Sequence, residues 1–405
     1  MSKERTVWAP WRRALDAPEP AWGIYLHLPF CKSHCAYCHF FTRPYGDGSA
    51  LKPFLELLGR EIREHAPAGR PRGDTIFLGG GTPSLVPAPA ISGLLSDLGQ
   101  HFDLAARAEV TLEMNPDDAD LERCAAYREA GVTRISLGVQ SLRDCDLKAL
   151  DRRHSAAQAD AAVRTLRRAG FDNISLDLIG GLPRQSAAAW REVLQRACAL
   201  GPEHISMYLL EVDEGQRQQH PIFQRLPAAE LVAHRYRVAV EVLEQAGLLQ
   251  YEISNFARPG REARHNLKYW TDQPYAAFGP AAHGYDLSQR WWNHADLGAY
   301  RRALQAGEPP QAGREAISRQ RRAEDALILG LRLSRGVDLN AFAQLYGWDV
   351  ARERRRELER LDTAELIAWD GATLRLTLQG RLLSNEVFVE LLPAVGKRGQ
   401  APNCL

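Results

Sequence analysis

The stretch that organises this 405-residue chain is YLHLPFCKSHCAYC, residues 25–38. An alternating apolar run ends at Pro29, and Cys31, Cys35 and Cys38 follow with the spacing C-x3-C-x2-C. Three thiolates on one tight loop can hold three irons of a [4Fe-4S] cluster, because cysteine thiolate is the usual protein ligand of such clusters. No fourth cysteine follows within reach, so one iron would keep an open position, and open positions on metals are where chemistry occurs.

Two other uses of these cysteines fit the spacing less well. Zinc could be bound with His34 or His39 as the fourth ligand, but structural zinc sites usually recruit a second Cys/His pair about 12 or more residues away. The sequence has no pair of that form. Disulfides are disfavoured by the odd total of seven cysteines and by an N-terminus without the apolar segment of a secretory signal.

Composition and charge narrow the class of protein. Hydrophobic residues make up 45% and charged residues 25% of the chain, which is ordinary for a globular protein. The net charge of +1 gives no reason to expect nucleic acid or an anionic membrane as a partner. No apolar run reaches the roughly 18 residues needed to cross a bilayer. We therefore expect a cytoplasmic protein without a membrane span, in a compartment where thiols stay reduced.

Six strand-like runs separated by helical segments predict the fold. The runs are residues 24–28, 75–78, 109–113, 134–139, 174–179 and 204–209. Between them, Ser155 and Ser186 are typical N-caps of helices that end at Gly170 and Gly201. Strands that alternate with helices form right-handed βαβ units and a parallel sheet. The pattern predicts an α/β fold, a partial (β/α)6 barrel over residues 21–250, preceded by an arm at 1–20.

The second half of the chain has a different pattern. Residues 251–317 form a connecting region rich in Gly, Pro and aromatic residues. Helices are predicted at 319–333, 339–346, 349–361 and 379–392, with a hairpin around Asp370-Gly371. Helices with one small hairpin indicate a winged-helix-like C-terminal domain at 318–392, and residues 393–405 are predicted to be a tail.

Polar and glycine-rich segments follow the ends of the predicted strands, where barrels of this kind place their chemistry. The second strand runs into GGGTP (79–83), whose glycines allow backbone N–H groups to approach a ligand closely. Glu113 and Asp177 end two apolar strands and can accept hydrogen bonds from ribose hydroxyls, and Arg152 can pair with a carboxylate. Taken singly, a surface or capping role explains the two carboxylates equally well, as a solvated basic patch does Arg152, and a tight turn without a ligand is the lesser alternative for the glycines.

Two histidines in the connecting region are candidates for binding iron. His265 begins the run HNLKYW, and a neutral imidazole beside aromatic rings suits axial ligation of haem. A packed or hydrogen-bonded histidine is the commoner fate of a lone His. His283 lies in a second, glycine-bounded turn and is the next candidate.

Seven motifs in order along residues 22–392 resemble the HemW family of haem chaperones. That family belongs to the radical S-adenosylmethionine (SAM) proteins and is similar to oxygen-independent coproporphyrinogen III oxidase. The motifs lie at residues 25–38, 77–84, 138–141, 177–183, 251–255, 265–270 and 278–284.

The resemblance implies cofactors, partners and site residues. Cys31, Cys35 and Cys38 would hold the [4Fe-4S] cluster, whose open iron binds SAM and whose electron cleaves it to a 5′-deoxyadenosyl radical. The remaining residues that match the family are Tyr25, Gly80 and Glu113 around this SAM, Tyr37, Gly81, Thr82, Gln140, Arg152 and Asp177 around a second SAM, and His265 in the motif associated with haem. Implied partners are haem, haem-acceptor proteins and an electron donor for the cluster.

Two departures from related patterns bear on the activity. The oxidase has a fourth cysteine two positions after the third, where this chain has Phe40, and HemW proteins often have Asp where this chain has His39. Phe40 disfavours oxidative decarboxylation of coproporphyrinogen III and favours haem delivery. A radical SAM methyltransferase is the third possibility, and the HNLKYW motif disfavours it.

Overall fold

The computed structural model describes residues 20–212, 215 and 220–393. The predicted N-terminal arm, apart from its last residue, and the predicted tail after Pro393 lie outside this range. The chain divides into two compact units, one of residues Glu19–Ile317 and one whose described residues begin at Ser318. Within the described ranges, no helix combines the length and apolarity needed to cross a membrane.

The first unit is built on a large mixed sheet. Its strands in chain order are β1 (Trp22–Leu28), β2 (Phe30–Cys31), β3 (Arg43–Pro44), β4 (Arg72–Gly80), β5 (Asp103–Met114), β6 (Arg134–Gln140), β7 (Ile174–Gly180), β8 (His204–Leu209), β9 (Leu249–Gln250), β10 (Asn255–Ala257), β11 (Tyr275–Phe278), β12 (His283–Tyr285), β13 (Gln289–Asn293) and β14 (Gln311–Ala316). Twelve of them form one sheet in the order β14-β13-β12-β11-β1-β4-β5-β6-β7-β8-β10-β9, while β2 and β3 pair separately.

The centre of the sheet is parallel and its two edges are antiparallel. All six predicted strands are present and pair in parallel in chain order, which confirms the α/β fold class. A seventh parallel strand, β11, pairs with β1. The prediction missed β11 and its neighbours β12–β14 because they lie in a stretch rich in Gly, Pro and aromatic residues. In the described chain β14 and β9 are the edge strands, so the barrel is partial and open.

Helices connect the parallel strands. They are Leu51–His65, Ala88–His101, Leu121–Glu129, Asp144–Ala149, Ala156–Arg168, Ala187–Ala199 and Ala229–Gln245. The predicted caps are correct: the Ser155 hydroxyl accepts from the Gln158 N–H in a reciprocal capping box, and Ser186 accepts from the Ala189 N–H. The prediction omitted Ala88–His101, whose early proline is tolerated because the first helical N–H groups have no intrahelical partner.

The two faces of the parallel strands differ in chemistry. In β1, Ile24 and Leu26 are fully buried, as expected for residues packed under helices. Tyr25 and His27 alternate with them and therefore point to the opposite, concave face. Register continues this face across the sheet, because Tyr25 lies beside Phe77 and Phe77 beside Thr111. The concave face consequently carries aromatic and polar residues, and near the start of the strands the helix Arg264–Trp270 packs against it, with the His265 ring 5.4 Å from that of Phe77.

The second unit is a small helical domain with a three-stranded sheet. Its helices are Arg319–Leu331, Leu339–Tyr346, Val350–Glu353, Arg355–Thr363, Leu378–Leu382 and Ser384–Leu391, and its strands are β15 (Val337–Asp338), β16 (Ile367–Trp369) and β17 (Thr373–Leu376). The predicted hairpin around Asp370-Gly371 forms between β16 and β17. The helices predicted at 349–361 and 379–392 are each two shorter helices. This arrangement of helices and a hairpin fits the predicted winged-helix-like domain.

Candidate functional site

The cysteine loop follows β1 and is joined directly to the glycine loop that follows β4. The Gly81 N–H donates to the Leu28 carbonyl at 2.9 Å, and the Thr82 N–H donates to the Phe30 carbonyl at 2.8 Å. A Cβ atom on Gly81 would lie 2.6 Å from the carbonyl carbon of Pro29. Glycine is therefore required there by close backbone approach, and the two loops form one rim structure.

The three cysteines of this loop are free thiols that are partly exposed. The Thr82 hydroxyl donates to the Cys31 sulfur at 3.5 Å, and Arg152 Nη1 donates to the Cys35 sulfur at 3.4 Å. Burial raises the pKa of Cys31 and raises that of Cys38 to about 11. Such thiols lose their protons readily only when a metal supplies positive charge nearby. Three thiols are the donor chemistry of an iron–sulfur cluster, which would supply one-electron chemistry when bound.

Arg152 links the cysteine loop to the ends of two other strands. Besides Cys35, its guanidinium donates to Tyr37 Oη at 3.5 Å, to Asn115 Oδ1 at 2.5 Å and to the Gly138 carbonyl at 2.8 Å. These four acceptors surround a guanidinium that is permanently charged. These partners exclude a solvated basic patch, and none of them is the carboxylate that the sequence also allowed for Arg152.

Gly138 leaves the space in which these polar side chains meet. A Cβ at this position would lie 3.1 Å from Gln140 Nε2, 3.4 Å from Arg152 Nη2 and 3.5 Å from Asn115 Oδ1. Asn115 Nδ2 in turn donates to the Thr82 hydroxyl at 3.2 Å. Asn115 was not among the predicted site residues, although its place two residues after the β5 carboxylate Glu113 was a usable signal.

Two carboxyl groups lie on the concave face below the rim. Glu113 Oε2 accepts from the Gly80 N–H at 3.1 Å, and Asp177 accepts from the Ser136 hydroxyl at 3.0 and 3.1 Å. Burial, followed by the nearby charge of Asp177, raises the pKa of Glu113 to about 8. Burial also raises the pKa of Asp177, against the hydrogen bonds of neighbouring serine hydroxyls. Buried carboxyl groups of this kind are suited to binding a cationic ligand, whose charge would favour their ionised forms.

Tyr25 and His27 form a short hydrogen-bonded chain toward the cysteine loop. His27 Nε2 lies 2.8 Å from the Phe41 carbonyl, so this nitrogen carries the proton and donates. His27 Nδ1 is then the acceptor for the Tyr25 hydroxyl at 3.0 Å. Burial lowers the pKa of His27 to about 4, so the imidazole is neutral. This chain fixes Tyr25 on the concave face beside Phe77.

His265 lies at the other end of the strands. Its helix, Arg264–Trp270, receives N-terminal capping from Glu109, which accepts from the Arg264 and His265 N–H groups at 3.1 and 3.0 Å. A Cβ on Gly23, at the start of β1, would lie 3.2 Å from the His265 ring. Because the cysteine loop follows the end of β1, the two sites are separated by about 17 Å of strand.

Both ring nitrogens of His265 are occupied. Nδ1 pairs with the Thr75 hydroxyl at 3.0 Å and Nε2 with the Tyr269 hydroxyl at 2.8 Å. The residue is buried, and burial lowers its pKa to about 3. These contacts describe a packed, hydrogen-bonded histidine, which was the plainer of the two interpretations. Its role as a haem ligand stays a prediction.

Arg134 is a buried cation that sequence reasoning missed. It is 2% exposed, on β6, and its Nε has no hydrogen-bond partner within the part of the chain that is described. Its charge lowers the pKa values of Glu113 and Asp177, opposing their desolvation. An arginine that alternates with Ser136 at the start of an apolar strand was the available signal.

The structure brings most of the predicted site residues together and leaves one apart. The cysteines lie at one rim, together with the other predicted residues except His265: Tyr25, Tyr37, Gly80, Gly81, Thr82, Glu113, Gln140, Arg152 and Asp177. They belong to β1, β4, β5, β6 and β7 and to the loops that follow, with Tyr25 and Asp177 in the middle of their strands. His265 alone is remote from this rim.

Comparison with known proteins identifies the family. Residues 25–197 match the radical SAM superfamily and residues 317–383 match the HemN C-terminal domain. The protein named Heme chaperone HemW of Mycobacterium tuberculosis (strain ATCC 25618 / H37Rv) is 36% identical over 384 residues, covering 93% of this chain and 96% of that protein. Its namesake in Bacillus subtilis (strain 168) is 34% identical, covering 90% and 98%.

Two further comparisons extend the family and the fold. The Bos taurus protein named Radical S-adenosyl methionine domain-containing protein 1, mitochondrial, is 34% identical, covering 91% of this chain and 87% of that protein. The solved structure of coproporphyrinogen III oxidase (HemN) from Escherichia coli, described as a radical SAM enzyme, superposes with a TM-score of 0.81 at 22% identity, covering 94% and 92% of the two chains. That likeness shows the fold. By its relatives, its two matching domains and its fold, this chain belongs to the HemW family of radical SAM proteins.

Proposed function

We propose that this protein is a haem chaperone that binds a [4Fe-4S] cluster, SAM and haem and delivers haem to acceptor proteins. The observation that carries the proposal is the match over 90% or more of this chain to proteins named haem chaperones in two bacteria. Membership of the radical SAM superfamily implies the cluster and SAM. The chain would act in the cytoplasm with an electron donor for the cluster.

The rim provides the residues for the cluster and for SAM. Cys31, Cys35 and Cys38 would ligate three irons, with Thr82 and Arg152 donating hydrogen bonds to two of the sulfurs. Hydrogen bonds to the sulfurs are a recognised means of tuning the reduction potential of a cluster.

The carboxyl groups supply charge for a cationic ligand. SAM carries an ammonium group and a sulfonium group. Because burial raises the pKa of Glu113 to about 8, both its protonated and its ionised forms are present near neutral pH. A bound cation would shift that carboxyl group toward the ionised form. Gly80, which donates its N–H to Glu113, holds φ at 103°, and a Cβ there would collide with the His27 ring, so glycine is required at this position.

Phe40 distinguishes haem delivery from the alternative, oxidation of coproporphyrinogen III. The side chain is 65% exposed, two residues after the last cluster cysteine. A phenyl ring offers neither a thiol nor a proton, so it cannot replace the fourth cysteine expected for the oxidase. The shared fold with HemN from Escherichia coli makes this alternative worth testing directly.

One anaerobic preparation tests the proposal. The reconstituted protein should contain iron and sulfide, bind hemin and SAM, transfer haem to an apo-cytochrome, and leave coproporphyrinogen III unchanged under reducing conditions with SAM. A variant with Cys31, Cys35 and Cys38 all replaced by Ala should lose the iron and sulfide, whereas Cys124→Ala should retain both. Turnover of coproporphyrinogen III, or failure to bind hemin, would refute the proposal.

A further inference from the structure

The antiparallel strands β12–β14 extend the concave face beyond the parallel strands. Tyr25 of β1 lies beside Ala277 of β11, so both residues point to this face. Tyr275 pairs with Tyr285 across β11 and β12, and because the pairing is antiparallel, His283 lies beside Ala277. His283 is therefore on the same face as Tyr25, two strands away.

The next two strands complete one cross-strand row. His283 pairs with Trp292 of β13, and Trp292 pairs with Gly313 of β14. A Cβ on Gly313 would collide with the Trp292 ring, so the indole lies down over β14. The His283 and Trp292 rings are 6.2 Å apart between centroids and 25° from parallel. The tryptophan thus orients an imidazole whose edge is left open.

His283 differs from three of the buried histidines of this unit in its freedom to bind a metal. Each of His27, His204 and His265 has both ring nitrogens engaged by hydrogen bonds. The His283 side chain is exposed and forms no hydrogen bond or ion pair in the described part of the chain, its contact being the Trp292 ring. A neutral imidazole with a free nitrogen is a common axial ligand of haem iron.

We propose that this face binds haem, with His283 as an axial ligand of the iron and Trp292 as the residue that orients it. The inference rests on the proposed function, because it names the site for that cargo. Arg290 lies one row along the same face, opposite Glu315 of β14, with its Cζ 5.3 Å from the centroid of the Tyr285 ring.

The position of His283 relates the cargo to the cofactor site. Neighbouring strands are about 4.8 Å apart, so two strand spacings separate the backbones of Tyr25 and His283 by about 10 Å. Haem bound here would lie beside the rim that holds the cysteine loop. His265, by contrast, would have to break two hydrogen bonds to reach iron.

The experiment is a hemin titration of the full-length protein. Visible absorption monitors binding, and electron paramagnetic resonance of the iron identifies its axial ligand. The variants are His283→Ala, Trp292→Leu and, as a matched control, His234→Ala, which removes an exposed histidine on the helix Ala229–Gln245. The wild type should bind hemin with a histidine-ligated spectrum. Since altering a residue behind a metal ligand typically costs about 10–100-fold in affinity, removing the ligand should cost at least about tenfold.

Free imidazole separates loss of a ligand from general damage. His283→Ala should lose the histidine signature and regain it when imidazole is added, Trp292→Leu should weaken hemin binding while keeping histidine ligation, and His234→Ala should match the wild type. A His283→Ala protein with unchanged affinity and spectrum would overturn the inference and leave the proposed function intact. A wild-type protein that does not bind hemin would overturn both.

Discussion

Glu61 is a buried carboxyl group whose ionisation should make stability depend on pH. It is 2% exposed on the helix Leu51–His65. It accepts hydrogen bonds from the Gly279 N–H at 2.7 Å, from Asn293 Nδ2 at 2.6 Å and from the Tyr300 hydroxyl at 2.6 Å. These donors favour the ionised form, but burial outweighs them and raises the pKa of Glu61 from 4.5 to about 7.

The sign of the effect follows from this raised pKa. Below pH 4.5 the carboxyl group is protonated in both the folded and the unfolded chain, and its contribution to stability is fully present. Between pH 4.5 and about 7 the unfolded chain loses the proton first, so the free energy of unfolding falls as pH rises. The full loss is on the order of 3 kcal/mol, since each pKa unit is worth about 1.4 kcal/mol.

Glu61→Gln tests this magnitude because an amide cannot ionise. Urea unfolding of iron-free protein, followed by circular dichroism from pH 4.5 to 8, should show the variant gaining about 3 kcal/mol relative to the wild type as pH rises. Glu64→Gln is the control, because Glu64 is exposed on the same helix and pairs with Arg60. A difference between Glu61→Gln and wild type that stays constant with pH would show that the three donors keep Glu61 ionised.

Three further predictions concern the rim. Glu113→Gln should weaken SAM binding in calorimetry by roughly 10-fold or more, because a hydrogen bond to a charged group is worth about 1.5–3 kcal/mol; unchanged affinity would remove Glu113 from the site. Arg152→Lys should lower the iron content after reconstitution, since an ammonium cannot reproduce four hydrogen bonds in fork geometry; wild-type iron and SAM affinity would contradict this. Gly81→Ala should cost about 1–3 kcal/mol of stability through overpacking against the cysteine loop, whereas Gly93→Ala, which has open space around it, should not; equal stability of the two variants would argue against close backbone approach.

Glu61 also supports the segment that carries the inferred haem site. Gly279 begins the turn that leads from β11 to His283, and Asn293 follows Trp292 directly. The Glu61 carboxyl group holds both ends of this segment from beneath. Perturbing Glu61 should therefore alter the geometry of His283 and Trp292 as well as stability.

Local sequence was sufficient for the features that depend on short spacing. The cysteine loop, the glycine loop and the caps at Ser155 and Ser186 each depend on residues a few positions apart. Backbone geometry over such distances is set by the residues themselves. The six parallel strands were predictable for a related reason, because strands covered on one side by helices must be apolar there and turn signals separate them.

Tertiary structure alone decided where distant residues meet. Arg152 reaches a cysteine 117 positions away because β6 and the cysteine loop end at the same rim, which depends on sheet order. The sequence around His265 suits a haem ligand. The sheet nevertheless places its helix at the opposite end of the strands from the cysteine loop, where both ring nitrogens are hydrogen-bonded. His283 is exposed on a strand that extends the sheet beyond its parallel centre. The face to which a side chain points, and the end of the sheet at which it lies, follow from the register between strands that are far apart in sequence. No local pattern encodes that register.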